Sequence, residues 1–323
     1  MTFNIQTFKL NSGSQIPWLA WGNGSGDARK TALESGKIAL EAGIRHIDTA
    51  QAYRNEENTG IVVKNSGIDK ADIYVTSKCM IPSLMSNEAL MVYPIVSGSS
   101  ESLNDARASI DESIKKLGFI PDLFLIHQPQ VVKPEDLKTL WTILEDLKAK
   151  GELKDIGVSN FRPQDLEAIL AGARFPPVVN QIEYHPFVLT HLAPVLEICK
   201  KHDIIIESYG PLTPILRHPG GPLKPVLTRI AQRIAASNPE LPVKVDEAVV
   251  LLLWTRATVA VAVSASGNAE RIKILADISR LPDNLLSKEE VDEISNIGKT
   301  VHFRHYTEHM EVDFPTPDLP DGK

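Results

Sequence analysis

The sequence predicts an α/β fold, a (β/α)8 barrel of the TIM type, and three observations point to it. Short apolar runs rich in β-branched residues alternate with longer stretches of helical period. The runs stay apolar along their length, as strands covered on both faces do. No linker, low-complexity tract or shift in composition divides the 323 residues, so 1–323 reads as a single domain. Alternating strand and helix implies a parallel sheet, and eight such units close it into a barrel.

The chain opens on an N-terminal β-hairpin, with a run from Phe3 to Leu10, a turn at Asn11-Ser12-Gly13 and a second run from Gln15 to Trp18. Barrel strands are predicted at Pro17–Trp21, Gly43–Asp48, Asp72–Lys78, Asp122–His127, Lys154–Asn160, Val178–Tyr184, Ile204–Tyr209 and Ala260–Ser266. Between them the helical period predicts helices at Ala28–Ala42, Ser102–Leu117, Pro134–Lys150, Pro163–Leu170 and Leu189–His202. Pro134 and Pro163 stand in first helical turns, where a missing N–H costs no hydrogen bond. Two segments escape the alternation. The tail after Thr300 is expected as a C-terminal loop over the active site. Ile81–Ser100 leaves the rim just after Lys78 and carries Leu84, Met85, Leu90, Met91, Val92 and Tyr93. It is either an adaptable wall over the pocket mouth or a loop packed on the barrel exterior.

Composition excludes several classes. A net charge of −7 leaves no basic footprint for nucleic acid. No run of about 18 apolar residues exists to span a membrane, and the N-terminus lacks the apolar core of a signal peptide, so a cytoplasmic protein is expected. Cys79 and Cys199 make no disulfide framework and no zinc spacing.

A barrel of this kind does its chemistry at the C-terminal ends of its strands. There the sequence places Asp48, Lys78, His127, Ser159, Asn160, Gln181, Tyr209 and Ser264–Ser266, with Tyr53 just beyond Asp48. Singly, each has an ordinary structural role as a cap, a solvated strand end, a half-buried aromatic or a satisfied core histidine. Polar groups from nearly every strand converging on one rim are not explained by stability.

The motifs around these residues are GIRHIDTAQAYRNEENTG from Gly43, VTSK ending at Lys78, LIHQP around His127, GVSNF from Gly157, VNQIEYHP from Val179 and ESYGPL from Glu207. In this order, over Ile16 to about Arg271, the chain resembles the aldo-keto reductase superfamily. It is most similar to the fungal NADPH-dependent carbonyl, conjugated polyketone and α-keto amide reductases. The resemblance implies NADPH as cofactor, a small-molecule carbonyl substrate and a monomer or weak homodimer. It implies a catalytic tetrad of Asp48, Tyr53, Lys78 and His127, and a pocket that adds Asn23, Gly24 and Gln128 to Tyr53 and His127. Asp48, Ser159, Asn160, Gln181, Tyr209, Leu212, Ser264, Ser266 and Arg271 would hold the cofactor. In this scheme Ser159, Asn160 and Gln181 hold the nicotinamide carboxamide, Tyr209 stacks on its ring, and Arg271 meets the adenosine 2′-phosphate.

The chemistry agrees with those roles. Hydride delivery builds negative charge on the carbonyl oxygen, which needs a proton donor poised there. A free tyrosine, with a pKa of about 10, is a weak acid at neutral pH, and a neighbouring ammonium strengthens it. Asp48 offsets the cost of burying Lys78, and His127 orients the carbonyl.

The chain departs from the family pattern in two places. Ala265 stands where many relatives carry a phosphate-binding lysine, so NADPH selectivity falls chiefly on Arg271. Gly22-Asn23-Gly24 replaces a tryptophan-bearing segment, and a more open pocket is expected on that side. The run GNGSGD imitates a dinucleotide fingerprint but has Asp27 in place of its third glycine. His302, His305 and His309 follow no metal-binding spacing, and no metal is expected. Two other readings stay open: an NADPH-binding regulatory subunit of the same fold, and a Schiff-base aldolase using Lys78.

Overall fold

Two short antiparallel strands, β1 (Thr7–Lys9) and β2 (Gln15–Pro17), pair Thr7 with Pro17 and Lys9 with Gln15. Gly13 turns the chain between them at φ 91°, a left-handed conformation that a side chain would strain. Leu10 donates its amide to the Ser14 carbonyl at 2.9 Å, which closes the turn. This is the expected hairpin. Its Leu10 and Ile16 pack with Leu123, Leu125, Val178, Val179 and Val261 into an apolar cluster beneath the barrel. The computed structural model describes residues 5–79, 101–219, 221–307 and 310–322, with the side chains of 101–105 left aside. The Ile81–Ser100 segment, expected as a pocket wall or an exterior loop, lies outside the described residues.

Eight parallel strands form the closed barrel: β3 (Leu19–Gly22), β4 (His46–Asp48), β5 (Tyr74–Cys79), β6 (Leu123–Ile126), β7 (Asp155–Ser159), β8 (Val179–Glu183), β9 (Ile205–Tyr209) and β10 (Ala260–Ala265). Each pairs with the next, and β10 pairs back onto β3 with Ala265 opposite Gly22. The register sets Asp48 of β4 against Gly22 on one side and Thr76 on the other, which brings strand-end polar groups to one rim. Gly157 lets β7 approach its neighbours, because a Cβ there would lie 2.7 Å from Leu125 Cδ2 and 2.9 Å from the Val179 carbonyl.

Helices α1 (Gly26–Lys30) and α2 (Ala32–Ala42) follow β3, and α3 (Glu56–Asn65) follows β4. Helices α4 (Glu101–Leu117), α5 (Leu137–Ala149), α6 (Pro163–Leu170) and α7 (Leu189–Lys201) come after β5 to β8. Beyond β9 lie α8 (Thr213–Leu216), α9 (Lys224–Ser237) and α10 (Glu247–Ala257), and beyond β10 lie α11 (Ala269–Ser279) and α12 (Lys288–Gly298).

Two helix starts differ from the sequence reading. The continuous helix expected over Ala28–Ala42 breaks at Thr31, whose hydroxyl bonds back to the Asp27 carbonyl at 2.8 Å. The backbone at Thr31 leaves the helical region, at φ −110° and ψ 30°. Pro134–Asp136 forms a 3-10 turn, and α5 proper begins at Leu137. Among the described residues no helix is long and apolar enough to cross a membrane.

Candidate active site

Asp48 ends β4 and Lys78 stands one residue before the end of β5, so parallel neighbours carry them to the same rim. Lys78 is fully buried, and its Nζ lies 2.7 Å from each Asp48 carboxylate oxygen, 3.0 Å from the Thr49 carbonyl and 3.4 Å from the Tyr53 hydroxyl. Burial alone would pull the Lys78 pKa down; the charge of Asp48, helped by Tyr53, outweighs it and holds the lysine above its ordinary value. A lysine kept as ammonium cannot attack a carbonyl, which removes the support for Schiff-base chemistry here.

Tyr53 closes a 3-10 turn, Gln51–Tyr53, that is braced from outside by Arg29. Arg29 Nε donates to the Tyr53 carbonyl at 3.1 Å and Nη2 to the Ala52 carbonyl at 3.0 Å. The Tyr53 ring meets His127 edge-on, with centroids 5.7 Å apart. Gly24 lies directly against that ring: a Cβ there would come within 2.5 Å of Tyr53 Cζ. The space expected to open at this glycine is therefore filled by the tyrosine itself.

The remaining predicted side chains form a connected network. Gln181 Nε2 donates to Asp48 Oδ2 at 2.8 Å, and Ser159 Oγ donates to the Gln181 carbonyl at 2.8 Å. Asn160, held at a left-handed φ of 61°, donates to the His127 carbonyl at 3.0 Å and accepts from the Tyr209 hydroxyl at 2.6 Å. These groups line a cleft of about 420 Å³ together with Gly24, Leu212 and Ser264.

Other predicted residues lie off its wall. Asn23 is buried behind it, donating to Thr59 Oγ1 at 3.0 Å, and Gln128 is buried as well. The Ser266 hydroxyl accepts the Asn268 amide at 3.1 Å. Arg271 is exposed on α11, its amide capped by Asn268 Oδ1 at 3.0 Å. Sequence reasoning missed Arg29 and Arg217, which do line the cleft. Arg29 lies inside the five-residue α1 and Arg217 just past the four-residue α8, where an arginine reads in sequence as an ordinary solvated one. From the tail, His305 and Tyr306 line the cleft, as a loop over the site should, while His302 packs against His191 with centroids 5.2 Å apart. His309 lies outside the described residues.

Beneath the tetrad, Glu207 of β9 is fully buried. Among the described residues neither carboxyl oxygen makes a close hydrogen bond, the Gln181 side chain adding only a minor pull that favours the charged form. His46 Nε2 stands 3.7 Å away but bonds Thr76 Oγ1 at 2.8 Å, and its own pKa is pushed down to about 4 by burial. Burial, then the charge of Asp48, pushes Glu207 up to about 8. The folded chain thus holds a proton on Glu207 that the unfolded chain, at an ordinary carboxyl pKa of about 4.3, has released. Stability from this group falls as pH rises from about 4.3 to 8, at up to about 1.4 kcal/mol per pH unit, and levels off above. Glu207→Gln should remove that slope. Urea unfolding from pH 5 to 8.5 should show the variant gaining on the wild type as pH rises, and parallel curves would contradict the assignment.

A sequence model described as the aldo/keto reductase family matches residues 19–298. The NAD/NADP-dependent indole-3-acetaldehyde reductase of Schizosaccharomyces pombe is 29% identical over 309 residues, covering 93% of this chain and 98% of the relative. The NADPH-dependent alpha-keto amide reductase of Saccharomyces cerevisiae is 30% identical over 317 residues, covering 92% of each. Among solved structures, an aldo/keto reductase from Brucella melitensis superposes with a TM-score of 0.71 at 32% identity, over 91% of this chain and 100% of that one.

Proposed function

The chain belongs to the aldo/keto reductase family, and on that premise we propose that it is an NADPH-dependent carbonyl reductase, one domain over 1–323, with Tyr53 as proton donor. Its substrates are of dicarbonyl, polyketone or α-keto ester type. The observation that carries this reading is the Lys78 ammonium, 2.7 Å from Asp48 and 3.4 Å from the Tyr53 hydroxyl.

The cleft suits a nicotinamide cofactor: Ser159, Asn160 and Gln181 gather donors and acceptors at its floor, and Tyr209 supplies an aromatic face beside them. When bound, the dihydronicotinamide supplies the hydride. Tyr53 and His127 bracket the position of the carbonyl oxygen. As charge builds there Tyr53 releases its proton, and the Lys78 ammonium stabilises the phenolate left behind. Asp48 keeps that ammonium in place, and Thr49 holds it through its carbonyl. The substrate class is supported by the name of the yeast relative, an alpha-keto amide reductase.

Steady-state assays of aldehydes, diketones and α-keto esters, with NADPH and NADH in parallel, test the reading. Absence of carbonyl-dependent oxidation of either cofactor would overturn it. Arg271→Ala is expected to weaken NADPH about ten- to a hundredfold and leave NADH nearly unchanged, the worth of one hydrogen bond to a charged group. Equal weakening of both would make Arg271 structural. Discrimination lost instead in Arg217→Ala would move the 2′-phosphate onto the cleft wall.

A further inference from the structure

A second buried ionic group stands at the end of β8, three strands from the β5 that carries Lys78. Glu183, the last residue of β8, is fully buried. One of its oxygens accepts the His305 amide at 2.9 Å and faces His185 Nε2 at 3.1 Å. The other accepts the Tyr306 amide at 3.1 Å and faces Arg304 Nη1 at 3.5 Å. Burial would raise the pKa of this carboxyl, but His185, Arg304 and the His305 amide outweigh it and keep it ionised. The Arg304 side chain is buried too, with Nη2 3.4 Å from His191 Nδ1, and His191 Nε2 meets the Phe314 carbonyl at 3.1 Å.

Taking a carboxylate and a guanidinium out of water costs several kcal/mol per ion before their attraction offsets it. What this arrangement achieves is geometric. The two amides it grips belong to His305 and Tyr306, both of which line the cleft. The Tyr306 ring stands edge-on to Tyr209, with centroids 5.2 Å apart. Gln181, two residues earlier on the same strand and hence on the same face, donates to Asp48. One strand therefore ties the substrate wall to the tetrad at a fixed spacing.

We propose that Glu183 is a positioning residue for the carbonyl substrate: by holding the main chain of His305 and Tyr306 it fixes the wall that selects substrate size. The proposal rests on the reductase reading of the cleft. Glu183→Gln keeps the shape but replaces one acceptor with an NH2 group that faces a donor. Glu183→Asp keeps the charge but falls one methylene short of the amides.

The experiment compares kcat/KM for a bulky and a small α-dicarbonyl in wild type, Glu183→Gln, Glu183→Asp, Tyr306→Ala and the Glu183→Gln/Tyr306→Ala double variant, together with NADPH affinity by fluorescence. The expected result is a bulky-to-small ratio altered about tenfold or more in Glu183→Gln, from KM rather than kcat, with NADPH affinity preserved. Tyr306→Ala should shift the ratio in the same direction, and the double variant should add little to it. Glu183→Asp should show a smaller shift of the same sign, and serves alone if the glutamine variant does not fold. A wild-type ratio in either folded Glu183 variant overturns the proposal, as do fully additive effects in the double. A wild type with no carbonyl-dependent turnover would instead overturn the reductase reading itself.

Discussion

Tyr53→Phe is expected to slow carbonyl reduction by about 10²–10⁴-fold while NADPH binds as before, because a positioned general acid is worth that much. The phenol is the group the site is built around. Lys78 stands 3.4 Å from its oxygen, Arg29 braces its carbonyl, and Gly24 leaves room for its ring. Phenylalanine keeps the ring contacts with His127 and Gly24 and removes the hydroxyl, and with it the proton and the 3.4 Å contact to Lys78 Nζ. Turnover of a diketone and NADPH fluorescence titration, measured on the same preparation, separate chemistry from binding. A variant that keeps most of its kcat would assign the proton to another donor, with His127 the first to examine.

The second large effect is on stability. Lys78→Met leaves the Asp48 carboxylate, 2% exposed, without its compensating charge, which should cost about 3–5 kcal/mol. Adding Asp48→Asn removes the stranded charge and should recover most of that loss, since a neutral pair of similar volume needs no ionic partner. Activity should stay lost in both, because neither variant stabilises a phenolate at Tyr53. Urea midpoints of the wild type, Lys78→Met and the double variant give the answer. If the double is as unstable as Lys78→Met, the cost comes from packing around the lysine stem and not from the charge.

The barrel and its polar rim were legible in the alternation of the strands, whereas the tetrad as a set came from the resemblance to the aldo-keto reductases and stands as a proposal. Each barrel strand is an apolar run that stops where a polar residue must face the rim, so the end of the run marks the site as well as the strand. Asp48, Lys78, Ser159 and Gln181 all fall where their runs end or pass the rim, and the structure joins them. Contacts made by residues remote in sequence were less readable. Glu183 and Arg304 are 121 positions apart, and no local period marks either as half of a pair. Arg29 acts on a turn 23 and 24 residues further along the chain, so its role depends on the folded spacing of two loops. The break at Thr31 escaped because the helical pattern of the sequence runs straight through a residue whose backbone, at φ −110° and ψ 30°, leaves the helical region.

Gly24 has a consequence for how such an enzyme can change. Its missing side chain is the seat of the Tyr53 ring, so any substitution there displaces Tyr53, the proposed proton donor, before it alters the fit of a substrate. At that position selectivity and rate move together. Leu216, 68% exposed, and Tyr306 also line the cleft. Changes there alter the cavity wall without removing the seat of the Tyr53 ring. Adaptation to new substrates is thereby channelled to one side of the rim, with the other held constant by a single hydrogen atom where a methyl group does not fit.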